Sequence, residues 1–341
     1  MNNLVSVCIP AYNQPLLLRE TILSCLAQTY RPLEILVGDD SDSDTSAEII
    51  NRLKLDDQIP LHYERNSPRL GQADNVNRLF QRAAGDRIVL LHHDDLLLPE
   101  AIEDLANCWI VHRDLTAAFG KQYIISETGD VRLFESEQAN KIFRRTAAEA
   151  GLQRSAIASA LVQQFPNDAF MVRSDTAKRV RLRPRSEVGD ATDLDFGIRL
   201  ALENAQFYFL NKYTSKYRET AGSLMQSGRV VQYMFPLVEQ VEIPGEDESA
   251  RKAALRRMAP FYVKHLAQSR QKGAALRLLF SENFDRRVRR STKGLVLLGQ
   301  ILFPWLDQPL QKLRQWFVAR SRITTLLTVS LWINYDGGLA N

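Results

Sequence analysis

Two adjacent aspartates, Asp94 and Asp95, close an apolar run that reads Arg87-Ile-Val-Leu-Leu-His-His-Asp-Asp-Leu-Leu-Leu-Pro99. Carboxylate oxygens suit hard divalent cations. Mg2+ typically takes one or two carboxylates and fills its remaining positions with water and substrate phosphate. A nucleotide diphosphate on Mg2+ or Mn2+ is therefore one reading of the pair. The other is a solvated acidic turn ahead of the helix that Pro99-Glu100 opens. On the pair alone both stand. Neither aspartate can be an unpaired core residue, because burying an uncompensated charge costs several kcal/mol.

The elements around the pair favour a site. Leu4–Ile9, Leu33–Val37, Leu61–Tyr63 and Arg87–Leu91 read as strands, and Leu16–Ala27, Ser46–Leu53 and Gly71–Ala84 as helices between them. Such alternation predicts an α/β fold with a mostly parallel sheet covered on both faces. Ligands of such sheets bind at the carboxyl ends of the strands. Three polar clusters sit there: Pro10-Ala11-Tyr12-Asn13, Asp39-Asp40 and Asp94-Asp95. His92 and His93 precede the last pair, and strand alternation puts one on each face, so both are read as packing or supporting residues. Further on, Ala117–Ile125 and Phe170–Arg173 read as strands, Ser126–Asn140 as a polar segment, and 146–165 and 174–180 as helices. Phe207–Leu210 and Lys212–Tyr217 read as closing strands, and the chain beyond Gly222 as mainly helical.

The chain has 341 residues and a net charge of +4, enough for one large domain and an appendage. Three cysteines without a CxxC pair argue against a disulfide framework or a zinc site. Cys108 and His112, four apart on a predicted helix, are too few for a metal and read as packing. That cysteine usage fits a reducing cytoplasm, so the expectation is a cytoplasmic location, free or peripheral at the inner face of the membrane; no basic-then-apolar leader and no membrane-length apolar run is read. The charge is uneven: Arg251–Arg322 carries seventeen Lys and Arg against three acids, which leaves the remainder net acidic.

Five blocks occur in order: Val5-Ser-Val-Cys-Ile-Pro-Ala-Tyr-Asn13; Thr21-Ile-Leu-Ser-Cys-Leu-Ala-Gln-Thr-Tyr30; Glu34-Ile-Leu-Val-Gly-Asp-Asp40 with Asp44; Asn66 with Gly71 and Asn75; and Gly85-Asp-Arg-Ile-Val-Leu-Leu-His-His-Asp-Asp95. Together they resemble the family 2 glycosyltransferases. The likeness covers about residues 4–222 and is densest to residue 105. It implies a GT-A nucleotide-diphospho-sugar transferase fold, a Rossmann-like mixed sheet flanked by helices, with a C-terminal helical extension. The implied division is a domain at 1–228, with nucleotide-binding (1–115) and acceptor (116–228) halves, and a basic helical region at 229–341. The donor would be a UDP- or dTDP-sugar. Pro10, Ala11, Tyr12 and Asn13 would wall the base, and Asp40 would accept its imide N–H, with Asp39 in support or capping the next helix. Arg69, Gln72 and Asn75 would lie beside the nucleotide. Asp95, with Asp94, would hold Mn2+ or Mg2+, and Asp94 would face ribose or sugar.

In Gly189-Asp-Ala-Thr-Asp-Leu-Asp-Phe-Gly-Ile-Arg199 the likeness makes Asp193 the general base of an inverting displacement, with Asp190 as runner-up. Thr192 stands where the family has Glu. A helix N-cap role for Thr192 and Asp193 is the competing reading. Arg218 falls in the segment that approaches the diphosphate in the family; the family's His is missing, with Thr220 near its place. The acceptor would be a glycan or a lipid-linked sugar in polysaccharide biosynthesis. Within residues 251–322, Lys252–Ser269 and Leu295–Arg322 read as helices of mixed apolar and cationic residues, the second carrying Trp305, Trp316 and Phe317; this region could meet an anionic membrane at its inner face or simply cap the domain. No motif points to nucleic acid. The alternative function is a catalytically impaired nucleotide-sugar-binding protein whose basic tail binds membrane or a partner.

Overall fold

The computed structural model describes residues 3–53, 58–219 and 230–303. The first half runs β1 (Val5–Ala11), α1 (Pro15–Leu26), β2 (Leu33–Asp39), α2 (Thr45–Asn51), β3 (Leu61–Arg65), α3 (Gln72–Arg82) and β4 (Arg87–Leu90). β1 and β2 are buried along their whole length, as expected of strands covered on both faces. Val5, Val7 and Ile9 pack with Leu18 and Ile22 of α1. The opposite face meets α3, where Gly38 lies against Asn75 and Leu79.

β5 (Leu96–Leu97), α4 (Ala101–Val111), β6 (Ala117–Ile125), α5 (Leu133–Ile142), β7 (Gly151–Leu152), α6 (Ala156–Leu161) and β8 (Phe170–Arg173) follow. Then come α7 (Ser174–Val180), α8 (Arg185–Val188), α9 (Thr192–Leu202) and β9 (Phe207–Arg218). The sheet order is β3-β2-β1-β4-β8-β6-β9-β5, with β7 on β9. The predicted parallel pairing holds for β3-β2-β1-β4, is interrupted by β8, which lies antiparallel to both β4 and β6, and returns in the β6-β9 pair. That reversal places the segment before β8 beside the residues that follow β4: the Ala169 amide donates to the Leu90 carbonyl at 2.7 Å. β9 is one twelve-residue strand rather than two. It pairs antiparallel with β5 and delivers its end to the acidic pair.

Three local expectations are corrected. The helix expected at 146–165 is a 3-10 turn, β7 and the short α6; Gly151 takes a left-handed φ of 106° that ends any helix there. The polar segment 126–140 runs into a helix, α5, from its middle onward. The cap of α9 is Ala191, so Thr192 and Asp193 lie inside its first turn.

The chain falls into two compact units, 1–221 and 222–341; the boundary near 228 lies outside the described residues. The second unit contains α10 (Val231–Gln240), α11 (Glu248–Gln268), α12 (Lys272–Phe280), α13 (Arg286–Arg289) and α14 (Thr292–Leu302). Trp305, Trp316, Phe317 and the basic residues beyond 303 lie outside the described residues. No helix of the described residues is long and apolar enough to cross a membrane.

Candidate active site

The acidic pair follows β4 in a turn that opposing elements hold. The Thr21 hydroxyl, on α1, donates to the carbonyls of His93 (2.8 Å) and Asp95 (2.9 Å). From the end of β9, the Arg218 amide donates to Asp95 Oδ1 at 2.6 Å and its Nε to the Asp94 carbonyl at 2.9 Å. β5 separates the pair from α4, whose cap is Glu100, so the acids do not cap that helix.

The two side chains part company. Asp94 stays half-buried, whereas Asp95 is 1% exposed. Asp95 Oδ2 points to His92 Nδ1 at 3.9 Å, which in turn lies 4.0 Å from Asp168 Oδ2. One ligand atom each from His92, Asp95 and Asp168 fall within 4.8 Å of one another. Among the described residues, Asp95 Oδ2 and His92 Nε2 have no hydrogen-bond partner. Burial and then the charges of Asp168 and Asp94 push the Asp95 carboxyl well above its ordinary pKa. Burial lowers the His92 imidazole, but Asp168, Asp193 and Asp94 outweigh it and leave its pKa raised. A buried, orphaned carboxylate oxygen beside an imidazole nitrogen and a second carboxylate is a donor set that fits a divalent cation. His92, read from sequence as a packing or supporting residue, lies within this candidate donor set. His93 is different: its Nδ1 is 3.2 Å from the Pro10 carbonyl, and burial lowers its pKa.

Asp168 was not identified from sequence. It is fully buried, accepts from the His92 amide (3.3 Å) and from Gln122 Nε2 (3.2 Å), and Arg145 donates to that Gln122 at 2.7 Å. The available signal was a lone acid just before a predicted strand, with nothing local to give its neighbour.

Asp193 is half-buried and close enough to His92 and Asp168 for each to shift it: burial raises its pKa, His92 lowers it and Asp168 raises it. Asp190 is held by Arg185 at 2.7 Å. Asp195 is buried between Arg183 and Arg199, a structural ion triad that orients α9.

At the other strand ends, the Arg69 guanidinium lies 3.9 Å from the centroid of the Tyr12 ring, and both are exposed. Asn13 links two loops: its amide donates to the Ser41 hydroxyl at 2.8 Å and its Nδ2 to Asp42 at 2.7 Å. Asp40, nearly buried, accepts from Asn66 Nδ2 (2.9 Å) and from the amides of Leu70 (3.1 Å) and Gly71 (2.8 Å). It therefore shapes the loop that carries Arg69. Asp39 accepts from the Ser41 amide and from the Tyr63 hydroxyl, both at 2.9 Å, and does not cap α2. Ala11 pairs with Asp39 in register, and Gln72 opens α3 exposed.

Two residues expected beside the ligand are engaged within the protein. Asn75 is buried, donating to the Gly38 carbonyl at 2.7 Å and accepting from Asn66 at 3.1 Å, so it ties β2 to α3. The Arg218 guanidinium is buried on the Asp94 carbonyl, the Glu127 carbonyl (2.8 Å) and Glu20 (2.7 Å), and so braces the acidic turn. Cys108 and His112 also separate: the thiol donates to the Asp104 carbonyl and the imidazole packs on Tyr208.

Among known proteins, the family described as Glycosyl transferase family 2 matches residues 6–161. Glycosyltransferase GlyG of Streptococcus pneumoniae is 26% identical over 238 residues, 67% of this chain and 74% of that protein. A GalNAc(5)-diNAcBac-PP-undecaprenol beta-1,3-glucosyltransferase of Campylobacter jejuni is 32% identical over 101 residues, 30% of this chain and 33% of that protein. Among solved structures, S. aureus TarS in complex with UDP-GlcNAc aligns with a TM-score of 0.55 at 19% identity, over 87% of this chain and 80% of that one. A mannosyltransferase from Pyrobaculum calidifontis in complex with GDP-Man and Mn2+ aligns with a TM-score of 0.54 at 18% identity, over 88% and 87%. The mixed sheet flanked by helices is therefore the GT-A fold, and within it residues 6–161 match glycosyl transferase family 2.

Proposed function

We propose that the protein is a metal-dependent inverting glycosyltransferase that moves a sugar from a UDP- or dTDP-sugar to a hydroxyl of a glycan or lipid-linked acceptor. The observation that carries this reading is the buried, unpaired Asp95 oxygen facing His92 and Asp168. Asp95 and His92, with Asp168, would hold Mn2+ or Mg2+, and the half-buried Asp94 is the carboxylate nearest to solvent. When bound, the ion supplies positive charge against a leaving diphosphate. The Tyr12 face and the Arg69 guanidinium offer a stacking surface for a planar base and a cation for phosphate. Asp40 holds their loop in place and keeps a lone pair for a base N–H, since a carboxylate has about four acceptor sites and three are used.

In the displacement, the acceptor oxygen attacks the anomeric carbon and the bond from that carbon to the diphosphate oxygen breaks. The acceptor's proton passes to Asp193, whose burial raises its pKa above that of a free carboxylate and so makes it the stronger base. Asp190 is the weaker candidate, being ion-paired to Arg185. A lipid-linked acceptor is supported by the name of the Campylobacter relative, and nucleotide-sugar donors by the ligands of both structural neighbours.

The deciding experiment incubates the protein with a panel of nucleotide sugars, Mn2+ and simple glycan acceptors, and reads the anomeric configuration of the product by NMR. An inverted product that requires Mn2+ is expected. A retained configuration would overturn the mechanism, and donor binding without any turnover would favour a binding protein that has lost catalysis.

A further inference from the structure

We propose that the outward face of α14, with Phe280 and the arginine run of α13, is a docking surface for an anionic lipid bilayer. α14 buries one stripe, Gly294, Leu297 and Ile301. Its other side is also apolar: Leu295 is 64% exposed, and Val296 and Leu302 are exposed as well. Exposed large apolar side chains gathered on one short helix mark an interaction surface more often than scattered ones do. Phe280, at the end of α12, is 61% exposed, and the Arg289 guanidinium lies 5.5 Å from the centroid of its ring. The aromatic ring and the arginine run therefore share one patch. α14 starts hard against α13, since a Cβ on Gly294 would stand 2.1 Å from the Arg289 carbonyl oxygen. Lys272 Nζ donates to the Leu302 carbonyl at 3.4 Å and brings a further cation to the far end.

The charge around this patch selects its occupant. Arg286, Arg287, Arg290 and Lys293 are exposed, and no acid occurs between Arg286 and Phe303. A second copy of the same face would oppose arginine with arginine, and like charges across an interface are repulsive. A nucleic acid would take the cations and leave Leu295, Val296 and Phe280 in water. An anionic bilayer satisfies both, with apolar side chains entering the acyl boundary and arginines meeting headgroups. This inference stands apart from the donor site and does not depend on its chemistry.

The test is flotation of the full chain with vesicles of phosphatidylcholine, with and without phosphatidylglycerol. Binding is expected only with phosphatidylglycerol, and it should weaken as salt rises. The double substitution Leu295→Asn, Val296→Asn should lower partitioning by about tenfold or more. R286E with R290E should abolish it, and donor turnover should be unchanged in both variants. Equal binding to neutral vesicles, or unaltered binding by the variants, would overturn the proposal. So would a fall in melting temperature in the apolar variant, showing that the face packs within the fold, or its conversion of a dimer to a monomer in sedimentation velocity, showing that a second copy covers it.

Discussion

The Asp193 carboxyl is raised by burial, with His92 opposing the rise and Asp168 adding to it. A general base works only when ionised. Activity should therefore fall as pH drops through that raised pKa, giving an acid limb above the ordinary carboxylate range. Asp193→Asn should remove the limb and lower kcat by about 10²–10⁴-fold with donor KM unchanged; initial rates across pH report both. Asp95 makes a different prediction. Its folded-state pKa lies well above the ordinary 3.8, mainly because it is buried and also because Asp168 and Asp94 are close. Ionising it therefore costs stability, a cost that begins as pH rises past the unfolded value and is complete above the folded one. A bound cation relieves that cost and competes with the proton. Mn2+ alone should raise Tm at neutral pH and do less at acidic pH, and the shift should vanish in Asp95→Asn. Thermal melts with and without Mn2+ check this; an undiminished shift in the variant would remove Asp95 as a ligand.

Elements decide which residues meet, and here the sequence was readable unevenly. β1, β2 and β4 announced themselves as apolar runs with polar clusters at their ends, and those clusters do converge. Asp168 gave no such sign: an antiparallel β8 brings it to His92 from 76 residues away, and strand direction is not written in local periodicity. Arg218 was singled out by the family resemblance, and its buried side chain holds the Asp94 carbonyl and Glu20, contacts that local sequence does not announce. The stretch 146–165 has helical composition but a glycine at positive φ where the chain must turn. Gly38 shows how closely β2 and α3 approach. A Cβ there would stand 2.2 Å from Asn75 Oδ1. Gly38→Ala should break the tie between Asn75 and the Gly38 carbonyl and cost about 1–3 kcal/mol. Because Asn66 bridges Asn75 and Asp40, the loop bearing Arg69 should loosen too. A lower Tm together with a raised donor KM is the expected result.

Across the whole molecule, the family likeness is concentrated in residues 6–161, while the second unit was legible only as basic and helical. Of its helices, 252–269 was placed from sequence and matches α11, and one from 295 onward overlaps α14; the exposed face of α14 required knowing which of its sides is covered. The hydrogen bonds from Arg218 to the acidic turn span 123 and 124 positions of the chain. Contacts of that separation close late, because the entropy of a long loop must be spent before they give anything back. The parallel half of the sheet can assemble from neighbours in sequence, but its acidic turn gains its brace only once β9 has been laid beside β5. A refolding chain should therefore recover its far-ultraviolet circular dichroism before it recovers metal-dependent donor binding. In a nascent chain, residues 1–160 would show the family's sequence without yet having a working site.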